Sequence, residues 1–246
     1  MEKTGRKWVY FVADVHLGLK TSDPVEREAR FVRFLKDIPR DTTKSLYLLG
    51  DIWDFWYEYR DVVPREGARV VSELIQLVDA GVEVYFFEGN HDMWTFSFFE
   101  SLGMKKLPQP FVVELGGKKF CLGHGDGLGG AGLGYRIMLS VFHSKVARAL
   151  FSTLHPWLAY RFGLGWSNSN RRTHESYTFR NEEEPLYRFA VGKASKEHID
   201  CFVFGHFHDR VCLTLPGGEK FFVLKDWMEG GTPCLCYDID SGEFRF

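Results

Sequence analysis

Five short polar clusters, each placed where an apolar run ends, constrain this chain more than any other feature of its sequence. The runs are short, rich in β-branched and aromatic residues, and bounded by Gly or Asp, which is typical of buried strands. They cover residues 8–13, 45–49, 82–87, 120–122 and 201–204. In open α/β sheets, sites form in the crevice outside the carboxyl ends of the strands, so the clusters are expected to converge although they lie far apart in sequence.

The clusters combine residue types that bind metal ions. In chain order they are Asp14-Val15-His16, Gly50-Asp51, Gly89-Asn90-His91-Asp92, Gly123-His124-Gly125-Asp126 and Gly205-His206-Phe207-His208. Five of the nine histidines fall inside them, which scattered core histidines would not produce. Because alternate residues of a strand share a face, each Asp-x-His or His-x-His pair can offer both side chains to one ion. The pattern predicts a two-metal hydrolase site.

The order of the predicted elements indicates an α/β fold. Strands ending at Ala13, Leu49 and Phe87 alternate with helical periodicity over 25–38 and 66–80, which predicts a parallel sheet. A second sheet is expected after Leu107, beginning with a hairpin that turns at Gly116-Gly117. Further strands are predicted near residues 201–204, 211–215, 221–224, 234–237 and 243–246. We expect a single domain over 1–246, made of two packed β-sheets flanked by helices.

An insertion at 128–184 is predicted to form a helical cap within that domain, with helical apolar spacing over 135–154. No Asp or Glu occurs from Gly127 to His174, while basic residues alternate with aromatic ones. Such a cap suits a ligand that has both an anionic and an apolar part, and it would also suit docking on an anionic membrane. A helix pair that merely packs on the domain is the third possibility. Ser169, Arg171 and Arg172 are candidate substrate contacts, and a solvated loop is the alternative.

Composition narrows the class of protein further. The net charge of −2 gives no basic domain, so no nucleic-acid partner is expected. The five cysteines form an odd set without a Cys-x-x-Cys pair, which argues against a disulfide scaffold or a zinc ribbon and favours a reducing cytosol. No apolar stretch approaches the roughly 20 residues of a membrane-spanning helix. We therefore expect a cytoplasmic protein, either soluble or peripherally bound to a membrane.

The five clusters, complete and in this order, resemble the pattern of the calcineurin-like metallophosphoesterase superfamily. The resemblance implies two divalent metal ions, most simply Mn²⁺, with Asp51 bridging them. It implies that one ion is held by Asp14, His16, Asp51 and His208, and the other by Asp51, Asn90, His124 and His206. It also implies a catalytic role for His91, which would stabilise the developing phosphoryl charge or protonate the leaving group, with an orienting role as the alternative.

The residues flanking the clusters are similar to those of the UDP-2,3-diacylglucosamine pyrophosphatase family over nearly the whole chain. The similar segments are residues 50–56, 89–94 and 124–126, Gly134-Tyr135 and the basic insertion. That resemblance implies hydrolysis of a nucleotide-sugar lipid to UMP and 2,3-diacylglucosamine 1-phosphate in lipid A biosynthesis, at the cytoplasmic membrane surface. Asn90, His91 and His206 would contact this substrate together with the cap residues. Two alternatives stay open: a phosphodiesterase or phosphatase with another substrate, and a non-catalytic scaffold.

Overall fold

Strands that are apolar on both faces account for the layered architecture of this protein. The computed structural model describes residues 5–21, 23–130, 132–171 and 178–246, without the side chains of 166 and 168–171. In the first strand, Val9 and Phe11 face a second sheet, whereas Val12 faces helices. Each sheet is therefore covered twice, by the other sheet and by helices. This is the predicted arrangement of two packed β-sheets flanked by helices, and the α/β prediction is confirmed.

The elements follow the predicted order closely. The strands are β1 (Trp8–Val12), β2 (Thr43–Leu48), β3 (Glu83–Phe87), β4 (Lys105–Leu107), β5 (Phe111–Leu115), β6 (Lys118–Leu122), β7 (Cys201–Phe204), β8 (Val211–Thr214), β9 (Lys220–Val223), β10 (Leu235–Asp238) and β11 (Phe244–Arg245). The helices are α1 (Pro24–Asp37), α2 (Ala68–Asp79), α3 (Phe98–Ser101), α4 (Leu133–His143), α5 (Lys145–Ser152), α6 (Pro156–Arg171) and α7 (Pro185–Ala194), with a 3₁₀ turn at Asn181–Glu183 before α7.

Two mixed sheets result from the strand pairing. The first has the order β11-β10-β1-β2-β3-β4, and the second has the order β5-β6-β7-β9-β8. Strands β1 to β4 run parallel, and so do β6, β7 and β9. The hairpin of β5 and β6 turns at Gly116 and Gly117, both at positive φ, as expected for a tight two-residue connection. The parallel strands thus direct their carboxyl ends to one edge of each sheet.

Some features of the fold were not predicted. Strand β10 lies in the first sheet and not in the second: it pairs antiparallel with β1, with Val9 opposite Tyr237, and β11 extends the sheet beyond it. The helical spacing over 135–154 is divided into two helices at Ser144, whose backbone is extended and whose hydroxyl accepts a hydrogen bond from the Ala147 N–H. Within the described residues of the predicted cap, 128–184, the α-helices are α4 to α6, which we call the cap helices.

The cap helices contact the core through an aromatic cluster beside the loop that follows β2. Tyr57 and Trp94 form its buried part, and Phe142 and Phe151 of the cap pack against them. The Tyr57 hydroxyl donates to the Arg148 carbonyl (2.8 Å) and the Trp94 indole N–H donates to the Phe142 carbonyl (3.0 Å). Within the described residues, no helix has both the length and the apolar character needed to span a bilayer.

Candidate metal centre

The polar clusters converge at the carboxyl ends of the parallel strands of both sheets. Asp14 follows β1, Asp51 follows β2 and Asn90 follows β3, while His124 and His206 follow β6 and β7 of the second sheet. Backbone hydrogen bonds join these loops directly, since the Asp14 N–H donates to the Gly50 carbonyl and the Gly205 N–H donates to the His124 carbonyl. The crevice between the two sheet edges therefore collects the predicted ligands from distant parts of the chain.

Asp14, His16 and His208 form the first group of converging side chains. Oδ1 of Asp14 lies 3.5 Å from Nε2 of His208 and 3.7 Å from Nε2 of His16. The other oxygen, Oδ2, accepts a hydrogen bond from the His206 N–H (2.9 Å), which fixes the carboxylate. The rings of His16 and His208 stack with centroids 5.0 Å apart. These three side chains present one oxygen and two nitrogens to a common point.

Asp51 stands between this group and a second one. Its Oδ2 lies 3.8 Å from Nε2 of His16 on one side and 3.3 Å from Nε2 of His124 on the other. Asn90 joins the second group, because its Oδ1 lies 3.2 Å from Nε2 of His124. Asp51 is thus placed where a carboxylate that bridges two ions would have to be.

His206 and His91 occupy different positions relative to these groups. The His206 ring lies against the His124 ring, with centroids 5.1 Å apart, but it belongs to none of the three groups of His and Asp that could share an ion. His91 does belong to one, with His16 and Asp51. Its side chain is 17% exposed whereas His16 and His124 are fully buried, so His91 is the one of the three that faces solvent at the crevice.

The donor set fits divalent metal ions. Oδ1 of Asp14 is buried and makes no hydrogen bond within the described part of the chain, although two imidazole nitrogens lie near it. Carboxylate oxygens and imidazole nitrogens bind first-row metals at about 2.0–2.2 Å, so two ligands of one ion lie about 3–4 Å apart. The separations in the first group are therefore long for hydrogen bonds and appropriate for a shared ion. Mixed oxygen and nitrogen ligands suit manganese, iron and zinc.

The charges of the site are strongly coupled. Burial alone would raise the pKa of Asp51, but the positive charges of His124 and His91 outweigh it and hold that pKa well below its usual range. Burial would lower the pKa of His124, yet the Asp51 carboxylate raises it well above the ordinary value. Burial and then the charge of His124 lower the pKa of His206 to about 4. The Asp51 carboxylate and the neighbouring imidazoles thus shift one another's pKa, as expected for ionisable groups buried side by side.

The backbone of the site is held in unusual conformations. Apart from glycines, six described residues have positive φ, and five of them are predicted ligands: Asp14, His16, Asp51, His206 and His208. Such conformations cost energy and concentrate at functional sites. Close approach also requires glycine at Gly89 and Gly205, because a Cβ there would lie 2.2 Å from Oδ1 of Asp51 and 2.5 Å from Oδ2 of Asp14, respectively.

Three further acidic residues position the predicted ligands. Oδ2 of Asp226 lies 2.8 Å from Nδ1 of His208, and this hydrogen bond keeps the pKa of Asp226 low although burial would raise it. Oδ1 of Asp54 lies 3.3 Å from Nδ1 of His16. Asp92 accepts four backbone N–H groups around Gly89 and Asp51, so it holds the turns that carry the ligands.

Asp54 and Asp226 were not identified from the sequence. A signal existed in both cases. Asp226 follows shortly after strand β9, as the predicted ligands follow their strands, and Asp54 comes three residues after Asp51. Both residues orient imidazoles that the sequence did single out.

The structure leaves the predicted cap contacts unplaced. Ser169 and Arg171 lie in α6, but their side chains are outside the described part of the structure. Arg172 lies outside the described residues altogether. Their predicted contact with substrate stays a prediction.

Comparison with known proteins agrees with this geometry. A model of the calcineurin-like phosphoesterase family matches residues 7–210, which include all seven predicted ligands. The chain therefore belongs to the calcineurin-like phosphoesterase family and is a metal-dependent hydrolase of phosphorus–oxygen bonds, with the dinuclear divalent metal site that this family implies.

Several curated relatives of this chain share one name within the family. The chain is 34% identical over 240 residues to the UDP-2,3-diacylglucosamine hydrolase of Porphyromonas gingivalis, covering 91% of each chain. It is 34% identical over 245 residues to the protein of that name from Neisseria meningitidis serogroup B, covering 97% of each. A third relative with that name, from Aeromonas salmonicida, is 31% identical over 232 residues, covering 92% of this chain and 88% of the relative.

Proposed function

We propose that this protein hydrolyses the diphosphate of UDP-2,3-diacylglucosamine, releasing UMP and 2,3-diacylglucosamine 1-phosphate, as a step of lipid A biosynthesis. The observation that carries the proposal is the convergence of all five polar clusters in one crevice, in a chain whose relatives of that name match it over nearly their full length. The reaction consumes one water and breaks one phosphorus–oxygen bond of the diphosphate.

In this proposal two divalent ions, most simply Mn²⁺, occupy the crevice. One is held by Asp14, His16, Asp51 and His208, and the other by Asp51, Asn90, His124 and His206. When bound, such ions activate water and neutralise charge on the phosphoryl oxygens. The described separations of Asp14, His16 and His208 support the first ligand set, and those of Asp51, His124 and Asn90 support the second.

His91 carries the chemistry that the ligands do not. Its backbone N–H donates to Oδ1 of Asp51 (2.8 Å), and its Nδ1 lies 3.1 Å from the Asp54 carbonyl oxygen. These contacts anchor a ring that reaches the solvent side of the crevice, where a phosphate oxygen of the substrate would lie. We assign to His91 the stabilisation of developing phosphoryl charge or the delivery of a proton to the leaving oxygen. Asn90 and His206 contact the same phosphate group.

Residues 128–184 serve as the cap of a single domain in this proposal, and Ser169, Arg171 and Arg172 contact the substrate. The cap helices also support peripheral binding to the inner membrane at its cytoplasmic face. Seven of the ten large hydrophobic side chains exposed in the described residues lie on them: Leu133, Ile137, Val141, Val146, Leu150, Trp157 and Phe162. Exposed basic residues such as Arg136, Lys145 and Arg161 accompany them. Apolar stripes flanked by basic residues are typical of helices that lie on anionic membranes.

The proposal is tested by hydrolysis of detergent-dispersed UDP-2,3-diacylglucosamine by Mn²⁺-loaded protein, with UMP and the acylated sugar phosphate as products. Bis-p-nitrophenyl phosphate is assayed in parallel, and Asp51→Asn serves as the inactive control for both. Release of UMP by the wild type, lost in Asp51→Asn, is the expected result. Cleavage of bis-p-nitrophenyl phosphate alone would refute the lipid substrate while leaving the phosphoesterase assignment intact. Inactivity on both with metals bound would indicate a non-catalytic scaffold.

A further inference from the structure

A buried hydrogen bond connects the cap to the metal centre. The Ser167 hydroxyl, on cap helix α6, donates to Oδ2 of Asp54 over 2.9 Å. The other oxygen of the same carboxylate, Oδ1, lies 3.3 Å from Nδ1 of His16. One carboxylate thus faces the cap with one oxygen and a predicted metal ligand with the other.

The orientation of His16 depends on this carboxylate. A carboxylate next to Nδ1 favours the imidazole tautomer with a proton on Nδ1. Nε2, on the opposite side of the ring, is then unprotonated and has a free lone pair for a metal ion. In this structure that side faces Asp14 and Asp51, whose oxygens lie 3.7 and 3.8 Å from Nε2. The rotamer of Asp54 therefore decides whether His16 presents its lone pair to the ion position between these two carboxylates.

The position of α6 decides whether Ser167 can reach Asp54. Tyr160, Gly163 and Ser167 share one face of the helix, since they are three and four residues apart. At Gly163 the backbone approaches Phe55 so closely that a Cβ would lie 2.3 Å from the ring. The Tyr160 hydroxyl donates to the Tyr57 carbonyl over 2.9 Å. The helix is thus seated on the segment that directly follows Asp51.

We propose that Ser167 is a positioning residue that couples the seating of the cap to metal binding: its hydroxyl holds Asp54 in the rotamer that orients His16. The proposal rests on the proposed assignment of His16 as a metal ligand, and it adds a control of that ligand by the cap. Ser167 and Asp54 are 2% and 1% exposed, so water has little access to replace the lost donor if Ser167 is truncated while α6 stays in place. Displacement of α6 would then weaken the metal site without touching any ligand.

The test is a Mn²⁺ titration of the full-length protein by calorimetry, without substrate. Loss of a residue that orients a metal-bound histidine typically costs roughly 10- to 100-fold in metal affinity. We expect a smaller effect for Ser167, because it contacts Asp54 and not His16 itself. We expect Ser167→Ala to raise the dissociation constant of one Mn²⁺ by about 3- to 10-fold. Ser167→Thr, which keeps the hydroxyl, is expected to bind Mn²⁺ like the wild type. The melting temperature of each apoprotein verifies that the variants are folded.

Tyr59→Phe is the matched control, because it removes a hydrogen bond between the cap and the same segment, from the Tyr59 hydroxyl to the Leu154 carbonyl (3.2 Å), that does not involve α6. Unchanged Mn²⁺ affinity in this variant, with weakened affinity in Ser167→Ala, supports the proposal. Wild-type affinity in Ser167→Ala, an equal loss in Tyr59→Phe, or a folded Ser167→Thr that binds no better than Ser167→Ala would overturn it. Asp51→Asn separates the two levels: if that variant binds two Mn²⁺ normally, the metal centre itself is wrongly assigned.

Discussion

The proposed docking of the cap on anionic membranes predicts that replacing exposed apolar residues of the cap weakens binding to such membranes. Val146 and Leu150 lie four residues apart on α5, so they form one stripe, and they are 70% and 66% exposed. Nothing in the described part of the protein covers this stripe. We therefore expect the double substitution Val146→Ser with Leu150→Ser to leave the fold intact and to reduce vesicle binding.

The size of the expected loss in membrane binding follows from the exposed fractions of the Val146 and Leu150 side chains. Full burial of a Val or Leu side chain is worth about 1.5–3 kcal/mol. Scaled by the exposure of the two side chains, insertion of the pair contributes about 2–4 kcal/mol, and partial insertion favours the lower end. A loss of about 2 kcal/mol corresponds to roughly a 30-fold weaker partition coefficient.

Co-sedimentation with vesicles of phosphatidylethanolamine and phosphatidylglycerol measures the effect. Val25→Ser is the matched control, because Val25 is 78% exposed but lies on α1, outside the cap. Binding should also weaken as salt is added, since the basic residues of the cap contribute through screened charge. Unchanged binding in the double variant, or an equal loss in Val25→Ser, would refute membrane docking through this stripe.

Three further substitutions test a close backbone approach, a helix propensity and an ion pair. Gly89→Ala places a Cβ 2.2 Å from Oδ1 of Asp51 and should abolish metal uptake, measured as bound metal after gel filtration; retention of two ions would contradict the close approach. Gly192→Ala, in the last turn of α7, should stabilise the protein by up to about 0.5–1 kcal/mol in thermal unfolding, because a Cβ there meets no atom within 4 Å outside the helix's own backbone and the two neighbouring residues. Destabilisation would contradict this open position. The Lys7 ammonium, followed by turn N–H groups, lowers the pKa of Asp238, so this pair stabilises the fold above the unfolded pKa of about 3.9 and loses that effect as pH falls through the folded pKa. Asp238→Asn should therefore show a flatter fall of the urea midpoint below about pH 4 than the wild type, and identical curves would exclude the contribution.

The sequence allows prediction of those parts of the fold that depend on local pattern. Alternation of strand and helix periodicity identified β1, α1, β2, α2 and β3, and the placement of polar clusters after the strands identified the edge at which they meet. Both signals are local in sequence and have a direct structural cause, because parallel strands end at one side of a sheet.

Features that depend on tertiary contacts could not be predicted in the same way. The pairing of β10 with β1 of the first sheet could not be predicted, because the apolar pattern of 234–237 does not specify which strand it pairs with. The break at Ser144 depends on a single capping hydroxyl within a continuous apolar periodicity. Asp54 and Asp226 were not identified because their function lies in contacts with His16 and His208, which are distant in sequence, and a position shortly after a strand does not show which imidazole an Asp contacts.

The most direct test of the central claim is anomalous diffraction from crystals of the Mn²⁺-loaded protein. We expect two peaks, roughly 3.5–4 Å apart, one on each side of the Asp51 carboxylate, with His16 and His208 at the first and His124 and His206 at the second. A single peak, or two peaks that do not share Asp51, would contradict the dinuclear centre on which the proposed hydrolysis depends.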